Sequence, residues 1–356
     1  MRFVTFEIST PLGLARRSGV LTRDGSSVID LAAAREVFVS DKGVREAALQ
    51  AEFDCPSDLL TFMDRGDRAL DAARETFDFV LSKGVTSSKD IKVLYGLDEI
   101  TLLTPLPVPR SIRNFSLSEK HMLDSIETMK KKIGGMEPSL TRIPPEWYNL
   151  PAYYKTTLWE VYGPEEIVPW PDLTAKYDYE LELAAVIGKR GRNVSKANAK
   201  AHIFGFMLYT DWSTRDFQQR EMSINMGPGL CKDCASSLGP CIATPDEFDV
   251  EKARLVARIN GEVWTDTTTA LQFTFEELIE YVTQVQTIMP GDIFTSGTVP
   301  GGSGSEQDRW FPEGSVVELE AEGIGILRNT VGKRGEAVAL PKSQQSYMRA
   351  VRHDAP

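Results

Sequence analysis

The sequence is poor in the side chains that soft-metal and redox chemistry require. Its 356 residues include four cysteines and three histidines. Four thiols in a chain this long build no disulfide framework, which fits a reducing compartment. Cys231, Cys234 and Cys241 cluster in sequence. However, no second Cys pair or His pair completes a zinc site around CKDC, and no strand-to-helix context of the thioredoxin kind precedes it, so these thiols read as small packing residues. A basic surplus is also missing: 40 Lys and Arg stand against 51 Asp and Glu, a formal charge of -11. That balance argues against a nucleic-acid partner, which would need a stripe of cations to neutralise phosphates. The run Lys130, Lys131, Lys132 is local and reads as solvated. No stretch approaches the roughly 18 apolar residues of a membrane span. The N-terminal MRFVTFEIST has no charged segment leading into an apolar run, as a secretory leader would. The expectation is a cytoplasmic protein with no membrane and no nucleic acid among its partners.

What is present is ordinary globular composition, 42% hydrophobic and 26% charged, enough for one large core and an accessory unit. Residues 1–105 read as a small N-terminal α+β domain. In it, SGVLTRDGSSVIDL forms a hairpin turning at Asp24-Gly25, Ser57 and Asp58 open a helical stretch, and ALDAARETFDFVLSKG runs helically to Gly84. Three prolines between positions 105 and 110 make LLTPLPVPRS an extended connector and a domain boundary. Beyond it, over 106–335, strand signals outnumber helices. KANAKAHIFGFMLYTDW is a helix capped by Ser195 that passes into an apolar strand ending at Asp211, LVARINGEVWTD is a hairpin about Asn260-Gly261, and Thr274 with Glu277 has capping-box spacing. Strict βαβ alternation is missing, so the fold class is α+β with a mixed sheet. Residues 336–356 read as a polar C-terminal tail.

The chemistry concentrates in YDYELELAAVIGK, Tyr177 to Lys189. Along a strand, residues two apart point the same way, so Glu180 and Glu182 bring their carboxylates together while Leu181 and Leu183 face the core. Two bare carboxylates at that separation repel, and burying either one unpaired is unfavourable, so a cation belongs between them. Asp211, delivered to a sheet rim by its strand and followed by a helix that Ser213 can cap, is a third acid. Three carboxylates with no neighbouring His or Cys describe a hard-cation site, Mg²⁺, Mn²⁺ or Ca²⁺ rather than zinc. The alternative is a plain solvent-exposed strand, where acids at this spacing also occur. Arg215, Gln218 and Met222 share one helical face. They suit an anionic substrate or charge developing in a transition state, and equally an ordinary surface helix.

Five blocks, YDYELELAAVIGK, HIFGFMLYTDWSTRDFQ, GPGLCKD, NGEVW and MPGDIFTSGT, occur in this order. Together they resemble the signature of the fumarylacetoacetate hydrolase family, over about residues 105 to 330. The resemblance implies a mixed β-sandwich roll of the fumarylacetoacetase C-terminal type, a divalent metal and a homodimer. It makes Glu180, Glu182 and Asp211 the metal ligands. It casts Arg215, Gln218 and Lys232 as the groups that hold a diketo acid and stabilise the departing enolate, and Thr298 as a substrate contact. Tyr154 matches a substrate-contacting tyrosine, a place its neighbour Tyr153 could also fill. His121 matches the hydrolases' catalytic base, with Glu306 as its orienting acid. Of the three histidines, His353 falls in the polar tail and His202 in an amphipathic helix, which also leaves His121 as the best-placed base.

The departures from the family pattern bear on the substrate. Asn114 stands where fumarylacetoacetases carry a further aspartate ligand, and Ser116 and Met222 replace tyrosines. The stretch from His121 to Trp147 is longer and, with Lys130 to Lys132, Gly134 and Gly135, reads as a mobile basic cover. The implied activity is metal-assisted hydrolysis of a carbon-carbon bond in a diketo acid of the fumarylacetoacetate, fumarylpyruvate or acylpyruvate type. Isomerisation or decarboxylation of a 2-oxo or 2-hydroxydienoic acid is the second reading, and a catalytically silent metal-binding protein is the third.

Overall fold

In the computed structural model, residues 1–132, 142–224 and 226–353 are described. Among them, one twelve-stranded sheet and one five-stranded sheet dominate. The large sheet runs in space from Leu94–Gly96 through Ser27–Asp30, Gly13–Leu21, Arg2–Thr10, Ser236–Ala243, Ile203–Asp211, Leu181–Ile187, Asp292–Thr295 and Ser111–Phe115 to Tyr153–Lys155. Its centre is an antiparallel pair in which Leu181 faces Thr210 and Glu182 faces Tyr209. Asp292–Thr295 and Ser111–Phe115 are parallel neighbours, so the sheet is mixed. The architecture is α+β, as the strand-rich pattern implied.

The strand Leu181–Ile187 is buried on both faces, which explains its near-continuous apolar run. Leu181, Leu183, Ala185 and Ile187 enter a core shared with Leu255, Ala257, Val317, Leu319 and Leu327 of the five-stranded sheet. Ala184 and Val186 face the opposite way, into a second core with Leu59, Phe62, Met63, Ala69 and Ala73 from the N-terminal helices. Glu182 lies on that second face, at the end of the strand where the apolar packing stops. Both faces having partners, neither could have taken charge anywhere but at the rim.

Local signals carried into the structure. Gly25 has φ +74° between Gly13–Leu21 and Ser27–Asp30, and Asn260 and Gly261, at φ +52° and +81°, turn the Arg254–Ile259/Glu262–Thr268 hairpin. These are left-handed conformations that hairpin turns use, in a two-residue turn at Asn260-Gly261 and in a longer loop at Gly25. Asp58 caps Leu59–Asp64, Gly84 ends Asp67–Lys83, and Thr274 with Glu277 forms a capping box on Phe275–Thr283. Two expected caps differ. Ser195 stands at the N-cap of Lys196–Ala199 without a side-chain bond. Ser213 belongs to a two-residue strand, Ser213–Thr214, that leaves Thr214 as the cap of Arg215–Ser223.

Arg2–Thr10 pairs with Ser236–Ala243, so the sheet continues across residue 105 and joins the N-terminal strands to the segment beyond the prolines. The C-terminal stretch contains a helix, Lys342–His353, whose buried Ser343 donates to the Val161 carbonyl at 3.2 Å. No helix among the described residues is long and apolar enough to cross a membrane. Lys130 to Lys132 end the helix Glu119–Lys132, while Gly134 and Gly135 of the expected cover lie outside the described residues.

Candidate metal centre and its surroundings

Three adjacent strand ends deliver the acids. Glu180 immediately precedes Leu181–Ile187 and bridges to Ser303, Glu182 is that strand's second residue, and Asp211 ends Ile203–Asp211. One ligand oxygen from each lies within 4.8 Å of the others, and all three residues are buried. Alternation along the strand therefore places the pair where the sequence suggested, and the antiparallel neighbour supplies the third.

The cluster is heavily hydrogen-bonded. Lys232 Nζ lies 2.6 Å from Glu180 Oε2, 2.7 Å from Asp211 Oδ2 and 2.6 Å from Ser213 Oγ. Arg215 Nη1 donates to Glu180 Oε1 at 2.7 Å and to Gln218 Oε1 at 2.9 Å. Thr295 Oγ1 donates to Glu182 Oε2 at 2.5 Å, and the Tyr154 hydroxyl donates to Asp211 Oδ2. Asn114 Nδ2 lies 3.3 Å from Glu182 Oε1 and 3.1 Å from Asp211 Oδ2. Asn114 thus stands in the cluster despite lacking the charge of an aspartate, and an amide turned over would present its oxygen to a cation instead.

These contacts do not balance the charge. Burial, reinforced by Asp211 and Glu180, holds Glu182 well above the usual carboxylate range. Burial, opposed by Lys232 and reinforced by Glu180, pushes Asp211 up to about 7. Burial acts to raise Glu180 too, but Lys232 and Arg215 outweigh it and hold that carboxyl low. Asp211 Oδ1 is buried with no hydrogen-bond partner among the described residues. A buried oxygen without a donor, beside acids forced towards protonation, fits a divalent cation: one ion would restore both the missing contact and the charge balance. The all-oxygen donor set suits Mg²⁺, Mn²⁺ or Ca²⁺.

A second group flanks the first. His121, on the helix Glu119–Lys132, has Nδ1 3.0 Å from Glu306 Oε2. Glu306 is held in turn: Oε1 accepts from Gly301 N at 2.9 Å, and Oε2 accepts from Ser303 N at 3.0 Å and Ser303 Oγ at 2.8 Å. Burial works to lower the His121 pKa, but the charge of Glu306 3.0 Å away, with Glu180 behind it, raises it above 6.5. Glu180 and Arg215 are thus close enough to bias His121 electrostatically, so the His121–Glu306 pair and the acid cluster adjoin one another.

The remaining sequence-selected residues divide. Gln218 joins Arg215, whereas Met222 is exposed and takes no part in the cluster. Thr298 is buried on the loop after Asp292–Thr295, outside the carboxylate hydrogen bonds. Tyr154, rather than Tyr153, reaches Asp211, because Tyr154 is cross-strand partner to Asn114 while Tyr153 packs on Phe115. The three clustered thiols take no part: burial pushes Cys231, Cys234 and Cys241 up to about 12. Sequence reasoning missed Thr295, which no spacing marks. It also missed Asp178, which lies in the same alternating register as Glu180 and Glu182 and pairs with Arg215 at 2.7 Å.

The comparisons place the fold and the chain among known proteins. The family model for the fumarylacetoacetate (FAA) hydrolase C-terminal region matches residues 123–332. Human oxaloacetate tautomerase FAHD2A, mitochondrial, is 35% identical over 174 residues, 48% of this chain and 55% of that protein. The chain thus spans about half the length of that relative. Oxaloacetate tautomerase YisK of Bacillus subtilis is 28% identical over 281 residues, 78% of this chain and 87% of its own. Among solved structures, maleylpyruvate hydrolase from Sphingobium sp. SYK-6, in complex with manganese(II) ion and pyruvate, superposes with a TM-score of 0.62 at 20% identity, covering 93% of this chain and 99% of that one. With the family model matching more than half of its residues, the chain belongs to the fumarylacetoacetate hydrolase family.

Proposed function

We propose that the protein is a divalent-cation-dependent enzyme of small 2-oxo acids that works through an enolate, and that its reaction is keto-enol tautomerisation of an oxaloacetate-like acid. The observation that carries this reading is the pairing of His121 with Glu306 beside the Glu180, Glu182 and Asp211 cluster. The curated tautomerases among its relatives support the choice of reaction.

Glu180, Glu182 and Asp211 would hold a divalent cation, which would supply Lewis acidity for negative charge developing on a carbonyl oxygen. With Nδ1 turned to Glu306, His121 presents Nε2 as the base that takes the proton from the carbon beside the carbonyl; returning it to the oxygen completes the tautomerisation without gain or loss of atoms. Glu306 fixes the ring and stabilises its protonated form. Arg215 and Lys232 hold the substrate carboxylate and the enolate charge, and Gln218 steadies the guanidinium. Tyr154 and Thr298 line the substrate's side of the site.

Hydrolysis of a carbon-carbon bond in a diketo acid is the second reading, and the same His121–Glu306 pair favours it, since a base so oriented can deprotonate water for attack on a carbonyl. Mg²⁺ or Mn²⁺ as cofactor and a homodimeric assembly complete the proposal. The test is a panel of oxaloacetate, fumarylpyruvate, fumarylacetoacetate and simple acylpyruvates, assayed with Mg²⁺ or Mn²⁺ and again with chelator. Enol-to-keto conversion of oxaloacetate without cleavage of the diketo acids supports tautomerisation, and cleavage supports the second reading. Chelator-insensitive turnover contradicts both. A cation that raises the melting temperature without turnover of any acid would leave a silent metal-binding protein.

A further inference from the structure

Asp178 joins the two halves of the site. It is completely buried and sits on the two-residue strand Tyr177–Asp178, where it is cross-strand partner to Ser213. Its Oδ2 takes Arg215 Nε at 2.7 Å and Ser305 N at 3.0 Å, while Oδ1 accepts from Gly304 N at 2.9 Å and Tyr179 N at 3.0 Å. Gly304 and Ser305 begin the turn Gly304–Gln307 that carries Glu306, the partner of His121. One carboxylate therefore grips the substrate-side guanidinium with one oxygen and spans the base-orienting turn with both.

The local sequence is shaped around this contact. A Cβ on Gly304 would lie 2.7 Å from Asp178 Oδ1 and 2.4 Å from the Arg309 carbonyl oxygen, so a side chain there would force the turn away from Asp178. Glu180, two residues on, bridges to Ser303, so the strand and the turn are joined at successive points.

We infer that Asp178 is a positioning residue: it sets the placement of Arg215 relative to the His121–Glu306 pair, and thereby the distance between the group that holds the substrate and the base that moves its proton. The inference rests on the proposed function only for its kinetic readout. A buried carboxylate that accepts several charge-assisted and backbone hydrogen bonds has no neutral replacement, because an amide offers one acceptor oxygen where four donors converge.

The test uses Asp178→Asn and Asp178→Ala in the full chain, with melting temperature as the folding control. In Asp178→Asn the single oxygen keeps either Arg215 with Ser305 N or Gly304 N with Tyr179 N, and the amide NH2 is turned against the other two donors, so kcat/KM falls by about tenfold or more. The second readout needs no activity: with three histidines in the chain, the His121 ring can be followed by nuclear magnetic resonance during a pH titration. The charged groups acting on it are Glu306, Glu180 and Arg215. In folded Asp178→Ala the turn loosens and the His121 midpoint moves down towards an ordinary histidine. Folded variants that keep wild-type kcat/KM and the wild-type His121 midpoint would overturn the inference, and if the alanine variant does not fold, the asparagine variant decides by the same two readouts. Failure of the proposed function looks different: the wild-type protein turns over none of the acids, while the histidine titration still reports whether Asp178 orders the pair.

Discussion

His121 Nδ1 and Glu306 Oε2 stand 3.0 Å apart, and the carboxylate is held by the backbone of Gly301 and Ser303 rather than left to find the imidazole by chance. That arrangement sets a carboxylate against one ring nitrogen. It also sets how the protein responds to pH.

Because the Glu306 carboxylate raises the His121 pKa above 6.5, the neutral base appears only as pH climbs through that raised value. Activity should therefore rise with pH along an acidic limb lying above 6.5. Glu306→Gln moves the limb to lower pH and lowers the plateau by about tenfold to a hundredfold. The linked stability runs the other way: the contribution of His121 is fully present below 6.5 and is lost as pH rises through the folded-state value. Thermal melts across that window, compared between wild type and Glu306→Gln, check the sign.

Glu182 carries the opposite conflict, a carboxylate held well above its ordinary 4.5 by burial and by Asp211 and Glu180. In the metal-free protein its contribution to stability is present below 4.5 and falls as pH rises towards the folded-state value. Glu182→Gln removes the charge while keeping an oxygen for Thr295. At neutral pH the chelator-treated variant should be more stable than wild type by on the order of 1 kcal/mol. It should also lose the rise in melting temperature that Mg²⁺ gives wild type.

Tyr154 donates to Asp211, and burial, with Asp211, keeps its phenol protonated by raising it well above 10. Tyr154→Phe leaves Asp211 Oδ2 with Asn114 and Lys232 and opens space on the substrate side. Turnover should fall by about tenfold, with little change in melting temperature. Steady-state kinetics and a thermal melt on the same preparation check the split.

Gly297 has φ +70°, and a Cβ there would lie 2.2 Å from the Phe115 carbonyl oxygen. Gly297→Ala should destabilise the fold by about 2 kcal/mol or more, because the backbone contact cannot yield by a rotamer change. Since the loop carries Thr298, activity should fall further than the loss of folded protein explains. Urea unfolding paired with activity per folded molecule measures both.

Much of the site was readable because strand alternation is a strong rule. Glu180 and Glu182 in one apolar strand, and Asp211 at the end of another, pointed to one acidic cluster before any fold was drawn. Hairpin and cap chemistry was equally local, from Asn260-Gly261 to Thr274 with Glu277. Long-range pairing was not legible. Nothing in LLTPLPVPRS foretells that Arg2–Thr10 joins Ser236–Ala243 across the prolines, and nothing near Asp292–Thr295 marks Thr295 as the donor to Glu182. Ser213 reads as a cap by composition, yet its hydroxyl serves Lys232 because a two-residue strand pairing with Asp178 intervenes. Asp178 itself was in view but unread, since the alternation that exposed two acids extends by one more step to a residue two of whose partners, Gly304 and Ser305, lie over a hundred positions away.

The account turns on whether three buried acids hold a divalent ion. The most direct measurement is anomalous diffraction from a crystal soaked in Mn²⁺. The account predicts one strong peak among the carboxylates of Glu180, Glu182 and Asp211, with the Lys232 ammonium moved off its bridge between Glu180 and Asp211. A crystal with no peak there, and Lys232 still spanning the two acids, would contradict it.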